Sequence, residues 1–135
     1  PLHAQEEPTQ ITFGEKRDVD PAVSPDGKNL AYASDRTGTF NIFMITFGSA
    51  GDLQLTQGKK DDRHPAWSPD SKKIIFTSKR TGSGDLYEMA CDGSAGFLQL
   101  TDREDIESSP CYEPKGGGLV FASAPKKAVQ FSTKP

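Results

Sequence analysis

Pro21-Ala22-Val23-Ser24-Pro25-Asp26-Gly27-Lys28 returns 44 residues on as Pro65-Ala66-Trp67-Ser68-Pro69-Asp70-Ser71-Lys72. After a further 45 residues it returns, degraded, as Pro110-Cys111-Tyr112-Glu113-Pro114-Lys115-Gly116-Gly117. Two other markers keep the same beat. Ile11-Thr12, Leu55-Thr56 and Leu100-Thr101 are again 44 and then 45 residues apart, and Ser34-Asp35-Arg36-Thr37-Gly38 matches Ser78-Lys79-Arg80-Thr81-Gly82. Three markers in step define a repeat, and a period of this length decides the architecture.

Within each period the sequence predicts four short strands. The first covers Pro21–Ser24, or Pro65–Ser68, and ends at Pro25-Asp26-Gly27, or Pro69-Asp70-Ser71. Proline presets the first turn position, aspartate tolerates the next and glycine supplies a positive φ, so the chain reverses there. The second strand, Asn29–Ala33 or Lys73–Thr77, is apolar at consecutive positions, as in a strand covered on both faces. Asn41–Thr46 and Asp85–Ala90 alternate and form a third, and Leu53–Thr56 and Leu98–Thr101 a short fourth. Helical repeats of similar length need amphipathic stretches of ten or more residues, which the Pro and Gly spacing forbids. The expected fold is all-β: propeller blades of four antiparallel strands, about three of them, in an incomplete ring.

These residues carry a family resemblance. Pro-Ala-Trp-Ser-Pro-Asp at 65–70, the apolar strand after it, Ser-x-Arg-Thr-Gly, an aromatic strand and Leu-Gln-Leu-Thr at 98–101 resemble the repeat of TolB-type propellers over residues 10–123. The resemblance implies a six-bladed ring and, for one branch, a periplasmic protein that binds lipoprotein and protein partners. In another branch the same repeat gates prolyl-oligopeptidase-like and tricorn-like peptidases. The helical N-terminal domain of TolB itself has no counterpart in residues 1–9.

Composition narrows the function. The 135 residues carry a net charge of −3, against a nucleic-acid binder, which needs a basic face. No apolar run approaches the length of a membrane-spanning helix. Two cysteines and two histidines supply neither a disulfide framework nor a four-ligand zinc site. Gly48-Ser49-Ala50-Gly51 and Gly93-Ser94-Ala95-Gly96 lack the spacing of a nucleophile elbow and fall where two strands join. No phosphate loop, EF-hand or zinc-helix motif occurs, and neither cofactor nor metal nor enzymatic activity is expected.

Trp67, with Val23 and Tyr112 at matching positions, is expected to pack between blades. Arg36 and Arg80 are expected to brace the loop after the second strand against a carboxylate, and Lys59-Lys60-Asp61-Asp62-Arg63 to be a solvated loop. Asp18, Asp20, Asp62, Arg63, His64 and Glu107 immediately precede the innermost strands, where a propeller's channel opens, and form the candidate binding site. A water-filled polar mouth is the plainer reading, and a cation held by its carboxylates the sharper one. Cys91 and Cys111 lie at different radii and are expected to stay unpaired.

The chain divides on this reading into a flexible segment 1–8, repeats at 9–57, 58–102 and 103–123, and a short strand or tail at 124–135. Ala4, followed by the polar Gln5-Glu6-Glu7, resembles a signal-peptidase site, which predicts a signal peptide upstream and a periplasmic or exported protein. Thr9–Thr12 reads as an orphan fourth strand and Ala128–Ser132 as a third strand of the last blade. The ring is then completed by further sequence, another subunit or a second copy. The function expected is a non-enzymatic scaffold or protein-binding module, an accessory subunit of a larger assembly; the alternative is the propeller of a peptidase whose catalytic domain lies elsewhere.

Overall fold

The computed structural model describes residues 7–125, and among them every regular element is a strand. Strands β1 (Asp18–Val23), β2 (Asn29–Ser34), β3 (Asn41–Thr46) and β4 (Leu53–Gln54) form one antiparallel sheet in chain order. Strands β5 (Asp62–Trp67), β6 (Lys73–Ser78), β7 (Asp85–Ala90) and β8 (Leu98–Gln99) repeat it. A third sheet holds only β9 (Ile106–Tyr112) and β10 (Leu119–Ala124). Among the described residues these are two complete blades and the inner half of a third, and they do not close a ring.

Each β1–β2-type hairpin turns as its residues dictate. Gly27 N–H donates to the Ser24 carbonyl at 2.8 Å, while Asp26 Oδ1 accepts from Ser24 Oγ at 2.6 Å and from Lys28 N at 3.0 Å. Gly27 and Gly116 take φ of 71° and 76°, and Ser71 is held at 60° in the same place. Ser71 Oγ accepts from Asp26 N at 3.0 Å and so ties the second turn to the first.

The sheets stack by inserting one blade's face into the next. Ala31, Ala33, Phe40, Ile42 and Leu55 of the first blade share one buried cluster with Trp67, Ile74, Phe76, Tyr87 and Met89 of the second. The second strands are apolar without alternation because both faces are covered: Leu30–Ser34 and Ile74–Ser78 are buried throughout. Each fully buried Leu, Ile, Phe or Met side chain contributes about 1.5–3 kcal/mol. On the first blade's far face, Leu30, Tyr32 and Phe43 form a second cluster, and among the described residues no preceding blade covers it. Val23, which corresponds to Trp67, is there 57% exposed, against 7% for Trp67.

Three boundaries differ from the sequence reading. The first strands begin earlier, at Asp18, Asp62 and Ile106, so the residues expected just before the innermost strands lie within them. The fourth strands are shorter, because Thr56 Oγ1 and Thr101 Oγ1 accept from the N–H of Ile42 and Leu86 and end the ladder. Thr9–Thr12 forms no strand, since no third strand lies beside it among the described residues, yet Gln10 Nε2 donates to the Thr12 carbonyl at 2.7 Å. Gln54 and Gln99 donate likewise to Thr56 and Thr101 at 2.9 and 2.8 Å. The strand expected at Ala128–Ser132 and the cleavage site at Ala4 lie outside the described residues.

Candidate functional site

The first strand of every blade is interrupted at one register. Asp20, His64 and Ser109 adopt φ of 55°, 53° and 51°, a left-handed conformation that side-chain-bearing residues adopt at a cost. The ladder shifts at each: between Val19 and Ala22, between Arg63 and Ala66, and opposite Val120–Ala122. Such bulges re-aim side chains, and strained backbone concentrates at functional positions. The repeat thus gives each inner strand one turned-out residue while leaving its chemistry free: Asp, His, Ser.

The bulge residues link the blades. Asp20 Oδ2 accepts from Arg63 Nε at 2.6 Å and from His64 N at 3.2 Å, and Oδ1 accepts from Arg63 Nη2 at 3.3 Å. Burial works to raise the Asp20 pKa, but the Arg63 and His64 hydrogen bonds outweigh it and hold the carboxyl below its ordinary value. The Arg63 guanidinium then stacks 4.4 Å from the centre of the Phe40 ring, and Arg17 lies 5.0 Å from the same ring. The junction between the first and second blades is filled.

Carboxylates take the arginines of the repeated Ser-x-Arg motif, and among them Asp62 is buried while Asp18 and Asp52 are partly exposed. Arg80 Nη2 donates to both oxygens of Asp62 at 3.1 Å, and its guanidinium lies over the Tyr87 and Phe97 rings. Arg36 approaches Asp18 to 3.5 Å and donates to Asp52 at 2.6 Å; Tyr32 donates its hydroxyl to the same carboxylate at 2.5 Å. In the third blade the matching residues are Glu107 and Pro125, and no arginine is supplied.

Glu107 consequently stands alone. It is 0% exposed, and among the described residues neither of its carboxylate oxygens has a hydrogen-bond partner. His64 Nδ1 and Thr77 Oγ1 are buried and unpartnered as well. All three residues line one cleft of about 160 Å³ between the second and third blades. Gly84, where the first blade has Phe40, forms part of its wall; its φ is +128°, and a Cβ there would lie 3.4 Å from the Glu107 carbonyl oxygen.

The structure therefore brings Asp20, Arg63 and His64 together in one network, sets Asp18 and Asp62 against arginines, and leaves Glu107 in the cleft. The oxygen-ligated cation drawn from the sequence is not assembled by these residues: no group of three or more ligating side chains occurs among the described residues. Thr77 and Gly84 were not singled out from the sequence, although aligning the blades exposes both, as Ala33 and Phe40 replaced. Cys91 and Cys111 are free thiols. No helix among the described residues is long and apolar enough to cross a membrane.

Comparison with known proteins agrees with this architecture. The profile of the TolB beta propeller domain matches residues 5–134. A structure described as a TolB from Agrobacterium tumefaciens superposes with a TM-score of 0.77 at 28% identity, over 88% of this chain and 42% of that one. TolB from Acinetobacter baumannii gives 0.66 at 24% identity, over 78% of this chain and 26% of that one. An oligogalacturonate lyase from Vibrio parahaemolyticus shares the fold, with 0.60 at 19% identity over 73% and 26%. The chain spans less than half the length of these solved relatives. No curated protein matches.

Proposed function

The chain belongs to the TolB beta-propeller family, and from that premise we propose that it is a non-enzymatic protein-binding module, an accessory part of a larger assembly in the periplasm or another exported compartment. The observation that carries this reading is the bulge shared by the three inner strands. One backbone distortion is kept at Asp20, His64 and Ser109 while the side chain it presents changes. A rigid scaffold with interchangeable groups at one mouth is how a recognition surface is built. Asp18, Asp20, Asp62, Arg63, His64 and Glu107 lie on or beside that surface, and a protein partner docks there.

The open flanks support membership of an assembly. Ile11, Phe13 and Val23 leave an apolar face on the first blade, and among the described residues the third sheet holds β9 and β10. A further blade, supplied by more sequence, another subunit or a second copy, covers them.

Affinity capture of the tagged chain from cross-linked cell envelopes tests the reading. His64→Asn keeps a residue that tolerates the left-handed backbone and removes the imidazole. The expected result is a partner recovered with the parent chain and depleted with His64→Asn. Equal recovery of every partner with both chains would place docking away from the mouth. A reading frame that continues into an α/β-hydrolase domain with a nucleophile elbow would replace this function with the peptidase-associated one.

A further inference from the structure

We propose that the cleft between the second and third blades is a binding pocket for a primary ammonium group. The pocket exists because positions that fill or brace the preceding junction are altered here, and one further change adds a hydroxyl to its wall. Phe40 becomes Gly84, Arg63 becomes Ser108, the bracing Arg36 and Arg80 become Pro125, and Ala33 becomes Thr77. Where Phe40 lies beneath Arg63 in the first junction, the second has about 160 Å³ of space.

The buried polar atoms left unpartnered in its lining can all accept a hydrogen bond. A buried carboxylate that has lost its arginine is costly unless a cation is brought to it. Among the described residues neither Glu107 oxygen nor Thr77 Oγ1 has a hydrogen-bond partner, and nor does His64 Nδ1. His64 Nε2 lies 3.9 Å from Asp20 Oδ2, beyond a hydrogen bond, and Nδ1 offers a lone pair when the ring proton is on Nε2. The cations already at the rim are engaged elsewhere: Arg63 with Asp20 at 2.6 Å and Lys79 with Asp61 at 3.4 Å. Three acceptor groups, one of them a carboxylate, around a small space match a cation with three N–H donors. A guanidinium is planar and larger, and a quaternary amine has no N–H to give.

A primary ammonium reaches the cleft either as a free small amine or as the lysine side chain of a partner. The pocket belongs to the docking mouth proposed above, but free-amine binding stands whether or not any protein docks there. Calorimetric titration of the full chain with methylammonium, tetramethylammonium and a capped lysine peptide distinguishes the cases. Saturable binding of methylammonium or of the lysine peptide, with none for tetramethylammonium, is the expected result. Binding of the peptide alone assigns the source to a partner's lysine; binding of both admits a free amine. Glu107→Gln, nearly isosteric, should weaken binding at least about tenfold, as loss of a charged hydrogen-bond partner does. Thr77→Val provides a second variant, with a smaller loss, should Glu107→Gln melt early. The proposal is overturned if neither ammonium probe binds, if tetramethylammonium binds equally, or if a folded Glu107→Gln chain binds as the parent does.

Discussion

Trp67, on the inner strand of the second blade, donates its indole N–H to the carbonyl oxygen of Ala22 on the inner strand of the first, 2.8 Å away. The rest of the ring lies in the apolar cluster shared by the two blades. A single side chain therefore supplies both apolar filling and a polar tie at one junction. Tyr112, its equivalent one blade on, reaches back to the second blade too, donating its hydroxyl to Glu88 Oε2 at 2.5 Å.

Replacing Trp67 separates these contributions. Trp67→Ala should cost about 3–5 kcal/mol through lost burial and a cavity. Trp67→Phe, which keeps most of the ring area but strands the Ala22 carbonyl, should cost less than the alanine change and more than about 1 kcal/mol. Urea melts of the two variants read both values, and a Trp67→Phe chain as stable as the parent would mean that the hydrogen bond contributes nothing.

Arg80 and Arg17 both pair with an aspartate, and burial predicts unequal costs of losing them. Asp62 is 1% exposed, so Arg80→Met leaves a buried charge uncompensated, at about 3–5 kcal/mol. The Arg17 side chain is 72% exposed beside Asp35, and Arg17→Met should cost no more than about 1 kcal/mol. Adding Asp62→Asn to Arg80→Met should restore part of the loss. Thermal melts of the three variants check the order.

The blades were legible in the sequence because turn chemistry and strand burial repeat together. Pro25-Asp26-Gly27 and Pro69-Asp70-Ser71 fix the hairpins, and the apolar runs at Leu30 and Ile74 require cover on both faces. The bulges were not legible. Asp20, His64 and Ser109 share a backbone conformation but no residue type, and none is glycine, the usual sign of a positive φ. The cleft was hidden for a related reason: it arises where the repeat fails, at Gly84, Ser108 and Pro125, and a search for recurrence passes over such positions. Charge exchange between blades also escapes that search. Arg17 pairs with Asp35 in the first blade, whereas Asp61 pairs with Lys79 at the same register in the second.

The two thiols should differ in reactivity. Cys111 is exposed, while Cys91 is half-buried, donates to the Ser71 carbonyl at 3.5 Å and has its pKa raised by burial and by Asp92. Thiolate is the reactive form, so a maleimide at neutral pH should label Cys111 well before Cys91, and denaturant should equalise the rates. Mass mapping of the first labelled cysteine decides; Cys91 labelling first would mean that the second and third strands of its blade open readily.

Stability should form a plateau over neutral pH and fall on both sides, for opposite reasons. Burial pushes Asp20, Asp52 and Glu88 upward, but each is held below its ordinary value, by Arg63 and His64 N, by Tyr32 and Arg36, and by Lys73 and Tyr112 respectively. A native carboxyl with a lowered pKa binds fewer protons than the unfolded chain as the pH drops below about 4. The stability it confers is therefore present above that value and lost as the pH falls through the native one. Tyr32 and Tyr112 lie the other way: burial, then hydrogen bonding to Asp52 and Glu88, raises both above the ordinary phenol value. Their contribution is whole below about pH 10 and is lost as the pH rises beyond it. Asp20→Asn should lower the melting temperature at neutral pH and flatten the acid limb while leaving the alkaline limb in place. Tyr112→Phe should flatten the alkaline limb. Melting temperatures of the parent and both variants across the pH range test this, and an acid limb as steep in Asp20→Asn as in the parent would show that the Asp20–Arg63 tie between blades does not stabilise the fold.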